Sequence, residues 1–144
     1  MNPLKMTGLD LLRAAVTGDL SVASMEQTIP MSFLEVDVGR VKISARADHR
    51  HLNPLGGVHG GFAATVLDSA TGCAVHSTLE AGACYATIDL QVKMLRPVPR
   101  DQDLVAEANT VHVSRSLATS EGTLRSSDGK LLATATATCF LKHG

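Results

Sequence analysis

His51-Leu52-Asn53-Pro54-Leu55-Gly56-Gly57-Val58-His59-Gly60-Gly61, running without a break into Phe62 to Leu79, is the stretch that decides the fold of this chain. Asn-Pro and paired glycines bend a backbone, so the first part reads as a loop. The second part has no proline, is rich in alanine, valine and leucine, and reads as a helix of nearly five turns. It is apolar on most sides, which predicts a helix buried within the protein. Two features exceed what burial requires. His59-Gly60-Gly61 stands where the helix starts, and an acid, Asp68, stands inside it. A glycine-lined helix start offers free N–H groups and the positive end of the helix dipole, a seat for developing negative charge.

The flanking sequence reads as the sheet that holds this helix. Upstream, Leu34, Val36 and Val38 alternate with Glu35 and Asp37. Gly39-Arg40 turns the chain, and Val41, Ile43, Ala45 and Ala47 then alternate with polar residues, which predicts an antiparallel hairpin with one buried face. Downstream, Ala86, Ile88, Leu90, Val92 and Met94 share one face of a strand, with Thr87, Asp89, Gln91 and Lys93 on the other. Arg96-Pro97-Val98-Pro99 ends it. Strands follow at 103–113, 117–125 and 130–141, the last rich in alanine and threonine, with a turn at Ser127-Asp128-Gly129. The order β-β-α-β-β-β-β, with the last four strands expected as a meander, makes the class α+β. Residues 7–17 form a short amphipathic helix with Leu9, Leu12 and Val16 on one face, stopped by Gly18. The mixed segment 19–30 is expected to lie over the body. The expected organisation is one domain over 1–144, with a helical extension at 1–30 and a core at 31–141.

Composition excludes several classes. The net charge is −1, so no basic footprint suggests nucleic acid, and one Tyr, three Phe and no Trp leave no stacking platform for bases. No apolar run reaches membrane-spanning length, and Met1-Asn2-Pro3-Leu4-Lys5 lacks the charged and apolar regions of a signal peptide, so a cytoplasmic protein is expected. Cys73, Cys84 and Cys139 are odd in number and set among apolar residues, which fits reduced core thiols. His49, His51 and His76 lack metal-ligand spacing, and no metal is expected. Ser69 and Ser77 lack a nucleophile elbow.

Each candidate residue has a plain structural reading beside the chemical one. Gly60-Gly61 could be an ordinary helix start, but beside His59 and Asn53 it suits an oxyanion site for acyl transfer. His59 could serve as a general base or simply hydrogen-bond near the helix start. Asp68 on so apolar a helix must be paired, exposed at an interface, or functional. Gly60 and Asp68 are eight residues apart, a rise of about 12 Å. Both cannot act on one carbonyl within one chain, so two antiparallel copies of the helix are expected, bringing Gly60 of one beside Asp68 of the other. Thr87 suits a strand whatever its chemistry. Arg96 and Ser114-Arg115-Ser116 are cationic spots that read first as solvated surface and second as phosphate contacts.

The combined pattern resembles the PaaI-like (phenylacetate-pathway type) hotdog thioesterases. The residues that carry it are His51-x-Asn53-Pro54-x-Gly56-Gly57-x-His59-Gly60-Gly61 with Asp68-Ser69-Ala70, then Thr87-x-Asp89-Leu90-x-Val92-x-x-Leu95-Arg96-Pro97, then Asp128-Gly129-Lys130-Leu131-Leu132-Ala133-Thr134-Ala135-Thr136. The resemblance spans about 30–141. It implies a curved antiparallel sheet around one long helix, dimers that often pair into homotetramers, and metal-free hydrolysis of acyl-coenzyme A with no cofactor beyond the substrate's own coenzyme A. By position, Gly60 would offer its N–H to the thioester oxygen, Asn53 and His59 would orient the thioester or water, and the second copy's Asp68 would act as base or nucleophile. Thr87 would help to place the water. Arg96, Ser114, Arg115 and Ser116 are the expected coenzyme A contacts. The competing expectations are a hotdog dehydratase or hydratase, and a non-catalytic acyl-CoA-binding module.

Overall fold

A computed structural model describes residues 2–21 and 23–144. Met1 of the N-terminal pentapeptide and Val22 of the 19–30 segment lie outside them. Three α-helices, α1 (Gly8–Thr17), α2 (Ser24–Thr28) and α3 (Gly60–His76), accompany six strands: β1 (Met31–Asp37), β2 (Arg40–Arg46), β3 (Cys84–Met94), β4 (Asp103–Val113), β5 (Leu117–Ser126) and β6 (Leu131–Lys142). All strand pairs are antiparallel, in the spatial order β1-β2-β4-β5-β6-β3. The sheet curves around α3, as expected of the hotdog fold.

α3 is buried because its sequence leaves little polar surface to expose. Phe62, Ala63, Val66, Leu67, Ala70, Ala74 and Val75 face the sheet and are almost wholly excluded from solvent. Burying a leucine or valine fully is worth about 1.5–3 kcal/mol each, so this face dominates the core. The sheet answers with Val41, Ile43, Ala45 and Ala47 along the β2 side and with Leu104, Ala106 and Ala108 on β4, all buried. The helix starts two residues before the expected Phe62 and ends at His76 rather than Leu79. The glycines belong to it, and Ser77 ends it by turning its hydroxyl back to the Ala74 carbonyl (2.7 Å).

The four-strand meander is incorrect. Only β4-β5-β6 meander; β3 lies beyond β6, and β4 inserts between β2 and β5. The connection Leu95–Gln102 therefore crosses one end of the sheet. It is tied at one side by Leu95 and Arg96 N–H groups sharing the Leu132 carbonyl (2.8 and 3.0 Å), and at the other by Asp101 N–H to the Ala47 carbonyl (2.7 Å). That crossing passes beneath the start of α3.

Two β-bulges also alter the expected faces. One lies between Phe33 and Glu35, so Leu34 is exposed while Val36 is buried, and Val38 is exposed in the hairpin turn. The other lies between Thr87 and Asp89. An extra residue reverses which side chains face inward. Before it Tyr85 and Thr87 face the helix and Ala86 is exposed; after it Leu90 and Val92 do, and Ile88, in the bulge, is 61% exposed. Thr87 thus leaves the polar face assigned to it.

α1 forms where expected, capped by the Thr7 hydroxyl, which accepts the Asp10 N–H (3.1 Å), and ended by Gly18 at φ 81°. It docks on the far end of α3, where Gly8 N–H donates to the Leu79 carbonyl (3.0 Å). Leu12 and Ala14 are buried; Val16, expected on the same face, is exposed. The thiols of Cys73, Cys84 and Cys139 are free, and Cys84 is exposed rather than in the core. No helix among the described residues is long and apolar enough to cross a membrane.

Candidate active site

The loop before α3 is built from the sequence inward. The Asn53 Oδ1 accepts the Leu55 N–H (2.9 Å) and the Gly57 N–H (3.2 Å), while Asn53 N–H donates to the Gly57 carbonyl (2.7 Å). Asparagine favours such turns because its side chain substitutes for a backbone acceptor. The loop closes with Leu52 bridging Val58 and His59 N–H donating to the His51 carbonyl (2.7 Å). His51 is itself buried. Asp48 N–H donates to its Nδ1 (2.9 Å), so Nε2 carries the proton and donates to the Thr28 carbonyl at the end of α2 (2.9 Å). The hydrogen-bonded Arg50 guanidinium holds the Asp48 carboxyl far below the usual carboxylate range.

His59 caps α3. Its Nδ1 accepts the Gly61 N–H (2.8 Å), and its carbonyl accepts the Phe62 N–H (3.0 Å). With Nδ1 occupied as an acceptor, the neutral ring carries its proton on Nε2, so His59 offers the site a donor rather than a base. The Gly60 N–H, just before these two bonded groups, has no hydrogen-bond partner among the described residues. At a helix start that unpaired donor is joined to the positive end of the dipole. Both glycines lie close against a neighbouring side chain. A Cβ on Gly60 would lie 2.7 Å from the Met94 Sδ, and one on Gly61 would lie 2.9 Å from the His59 Nδ1.

Gly60 opens into a cleft of about 330 Å3 lined by His59, Ala63, Met94, Arg96, Pro97 and Val98. A second hollow of about 380 Å3 shares Arg96, Pro97 and Leu132 with it and extends to Gln102, Ser126 and Lys130. The Leu95–Gln102 crossing makes both, so the departure from a meander is what furnishes the site. The Arg96 guanidinium is steadied by the Leu131 carbonyl (3.2 Å). Ser114-Arg115-Ser116 lies in the β4–β5 turn, toward the opposite end of the sheet. Ser114 Oγ donates to the Leu117 carbonyl (2.9 Å), and the Arg115 carbonyl meets the His143 Nε2 (2.7 Å). Arg96 and this turn therefore do not meet within one chain.

Asp68 lies two turns along α3 from Gly60, exposed on the strip the sheet leaves open, and makes no ion pair among the described residues. The expected separation of donor and acid holds. Around it the bulged β3 supplies Thr87, whose Oγ1 is 3.9 Å from the Cys139 Sγ, and Tyr85, which packs on Gly72 and His76. Burial pushes the Cys73 thiol up to about 12 and the Tyr85 hydroxyl up as well, with the Asp68 charge adding to both. Burial likewise raises Cys139. These buried groups are thus biased toward their protonated forms, and Asp68 is the exposed carboxylate among them. Sequence reasoning missed Met94, Val98 and Lys130, because neither alternation nor charge marks a residue brought to the site by a strand crossing.

Residues 55–133 match the Thioesterase superfamily. Among solved structures, a phenylacetic acid degradation-related protein of Ralstonia eutropha JMP134 superposes with a TM-score of 0.82 at 34% identity, over 90% of this chain and 98% of that one. A thioesterase family protein of Silicibacter pomeroyi gives 0.81 at 27% identity, over 92% and 99%. Acyl-coenzyme A thioesterase 13 of Homo sapiens is 30% identical over 96 residues, 66% of this chain and 68% of that protein. A Halobacterium salinarum protein that carries an esterase name is 47% identical over 68 residues, 46% of this chain and only 44% of that protein's length. With the matched segment covering more than half of its residues, the chain belongs to the Thioesterase superfamily.

Proposed function

We propose that this chain hydrolyses acyl-CoA thioesters to a carboxylic acid and coenzyme A, as a dimer whose two copies share each site. The observation that carries this reading is the unpartnered Gly60 N–H at the start of α3, opening into a cleft with a guanidinium at its rim. Membership of the Thioesterase superfamily supports thioester hydrolysis as the general reaction. The carbonyl oxygen accepts the Gly60 N–H, and the dipole stabilises it as it becomes an oxyanion. Asp68 of the second copy acts on the carbonyl carbon, through a water it deprotonates or by direct attack, with the Thr87 hydroxyl beside it. By the water route the tetrahedral intermediate collapses to the carboxylic acid, and the thiolate leaves with the proton taken from water. By direct attack the thiolate leaves a mixed anhydride on Asp68, which water then cleaves to the acid and free Asp68. His59 Nε2–H and the Asn53 amide are the orienting donors.

Several features support two copies. β3 is an open sheet edge, paired only to β6. The uncovered strip of α3 carries Gly61, Ala64, Thr65, Asp68 and Ser69, mostly small residues that allow a second helix to approach closely. Antiparallel pairing about a two-fold axis also carries Arg115 of one copy toward Arg96 and Lys130 of the other, assembling the cations that coenzyme A phosphates require. Pairing of two such dimers into a tetramer is part of the same reading.

Thiol release from phenylacetyl-, benzoyl-, hexanoyl- and decanoyl-CoA tests it, with wild type beside Asp68→Asn and the mass of each in solution. Expected are release by wild type, a loss of at least about a hundredfold in Asp68→Asn, and a dimer or tetramer for both. Binding of acyl-CoA with no release by wild type would instead identify a non-catalytic acyl-CoA-binding protein.

A further inference from the structure

We propose that Met94 is the specificity-determining wall of the oxyanion site, pressing the thioester against the Gly60 N–H, and that this single sulfur makes the site sensitive to peroxide. The inference rests on the thioesterase reading above. Met94 is the last residue of β3, in register with Ala133 of β6, and the two lie on the same cleft. Just beyond it, Leu95 and Arg96 N–H groups both donate to the Leu132 carbonyl, which fixes where the strand ends. That anchoring brings the Met94 Sδ to 2.7 Å, and its methyl carbon to 3.1 Å, from the point where a Gly60 Cβ would stand. The thioether therefore rests against the Gly60 Cα, on the residue whose N–H has no partner among the described residues. Arg96, Pro97 and Val98 line the same cleft. A carbonyl reaching that N–H must pass the Met94 side chain, so the reach and bulk of the side chain at 94 set which thioesters bind productively.

Exposure and chemistry then combine. In the single chain Met94 is 55% exposed at the mouth of the cleft, within reach of a small oxidant. A peroxide transfers one oxygen to Sδ: the sulfur loses two electrons, the peroxide O–O bond breaks, and the peroxide leaves as water or an alcohol. No bond to carbon breaks. The sulfoxide oxygen is a strong hydrogen-bond acceptor held beside a free donor, so it takes the Gly60 N–H that the thioester needs. Oxidation thus places within the chain a mimic of the substrate carbonyl.

The test uses the whole protein treated with hydrogen peroxide, then with a thiol reductant to reverse any cysteine oxidation at the exposed Cys84. Wild type, Met94→Leu and Met25→Leu are compared, each against its own untreated rate; Met25 lies on α2 with similar exposure (53%) and serves as the control. Expected is a loss of most hydrolysis in wild type and Met25→Leu, in step with the mass gain of one oxygen on the Met94 peptide, and recovery with methionine sulfoxide reductase. Met94→Leu keeps its starting rate. Met94→Ala, which removes the wall, lowers kcat/KM at least tenfold and narrows the difference among acyl groups. Equal loss in wild type and Met94→Leu, or full oxidation of Met94 with activity unchanged, overturns the proposal. Binding of a 2-oxoalkyl-CoA thioether, which keeps a carbonyl but has no scissile thioester, separates the two readings. If no substrate is hydrolysed but peroxide weakens this binding in wild type and Met25→Leu and not in Met94→Leu, the hydrolase reading fails and the Met94 wall stands; binding that peroxide leaves unchanged refutes the wall.

Discussion

Replacing Gly60 by alanine separates folding from catalysis in this protein. The backbone there is ordinary helix, since Gly60 is not among the glycines with positive φ, so alanine incurs no conformational strain. As a helix residue alanine is favoured over glycine by about 0.5–1 kcal/mol. Against this, the new Cβ would sit 2.7 Å from the Met94 Sδ. The clashing atoms belong to the end of a flexible, half-exposed side chain, which can rotate aside at a cost of about 1 kcal/mol, that of an off-rotamer torsion. The two effects nearly cancel, and thermal stability is expected to change by less than about 1 kcal/mol, a few degrees in a chain of this size. Activity is different. The added methyl and the displaced thioether occupy the cleft beside the Gly60 N–H. Alanine keeps the backbone N–H but blocks the approach to it; a complete block is equivalent to losing one oxyanion donor, about 2.7–4 kcal/mol of barrier, or about a hundredfold to a thousandfold in kcat. The assay is thiol release from the best substrate of the panel, alongside a melting curve by circular dichroism. Gly60→Ala with a native melting curve and undiminished kcat would refute the assignment of the Gly60 N–H.

Two further perturbations probe the supports of the site. His59→Ala removes the cap that accepts the Gly61 N–H, and should cost about 1 kcal/mol of stability and lower kcat, whereas His59→Asn, which keeps a capping oxygen, should recover most of the stability; melting curves and thiol release check both. At the far end of the sheet, the Arg115 carbonyl and then the Glu80 carboxylate raise the His143 pKa. The protonated ring binds its partners better, so its contribution is fully present below the ordinary histidine range and is lost as pH rises through the raised value. Wild type should therefore melt above His143→Ala at acid pH and converge with it at alkaline pH; a difference that stays constant with pH would contradict the sign.

How much of this was legible in the sequence differs by residue. His59 and Gly60 announce a helix start, and the eight-residue spacing to Asp68 already separates donor from acid by about 12 Å, because the rise of a helix is the same in any context. Asn53 could be placed in the loop but not given its bond, which depends on the loop closing at Leu52 and Val58. Thr87 was assigned to the wrong face, since a bulge is one inserted residue within a run that still alternates on either side of it. Val16 and Leu34 went the same way: apolar residues remain exposed wherever no neighbour happens to cover them.

The sequence by itself determined the α+β class, the buried helix, the six strands to within about two residues, and the places of Gly60 at the helix start and Asp68 within the helix. These follow from local periodicity and from chemistry carried by single residue types. Only the tertiary structure decided that β3 leaves the meander for the edge beside β6. That choice sends Leu95–Gln102 across the end of the sheet and sets Met94, Arg96 and Val98 around Gly60. Strand order depends on which edges meet after the sheet has wrapped the helix, a long-range outcome that no local period encodes.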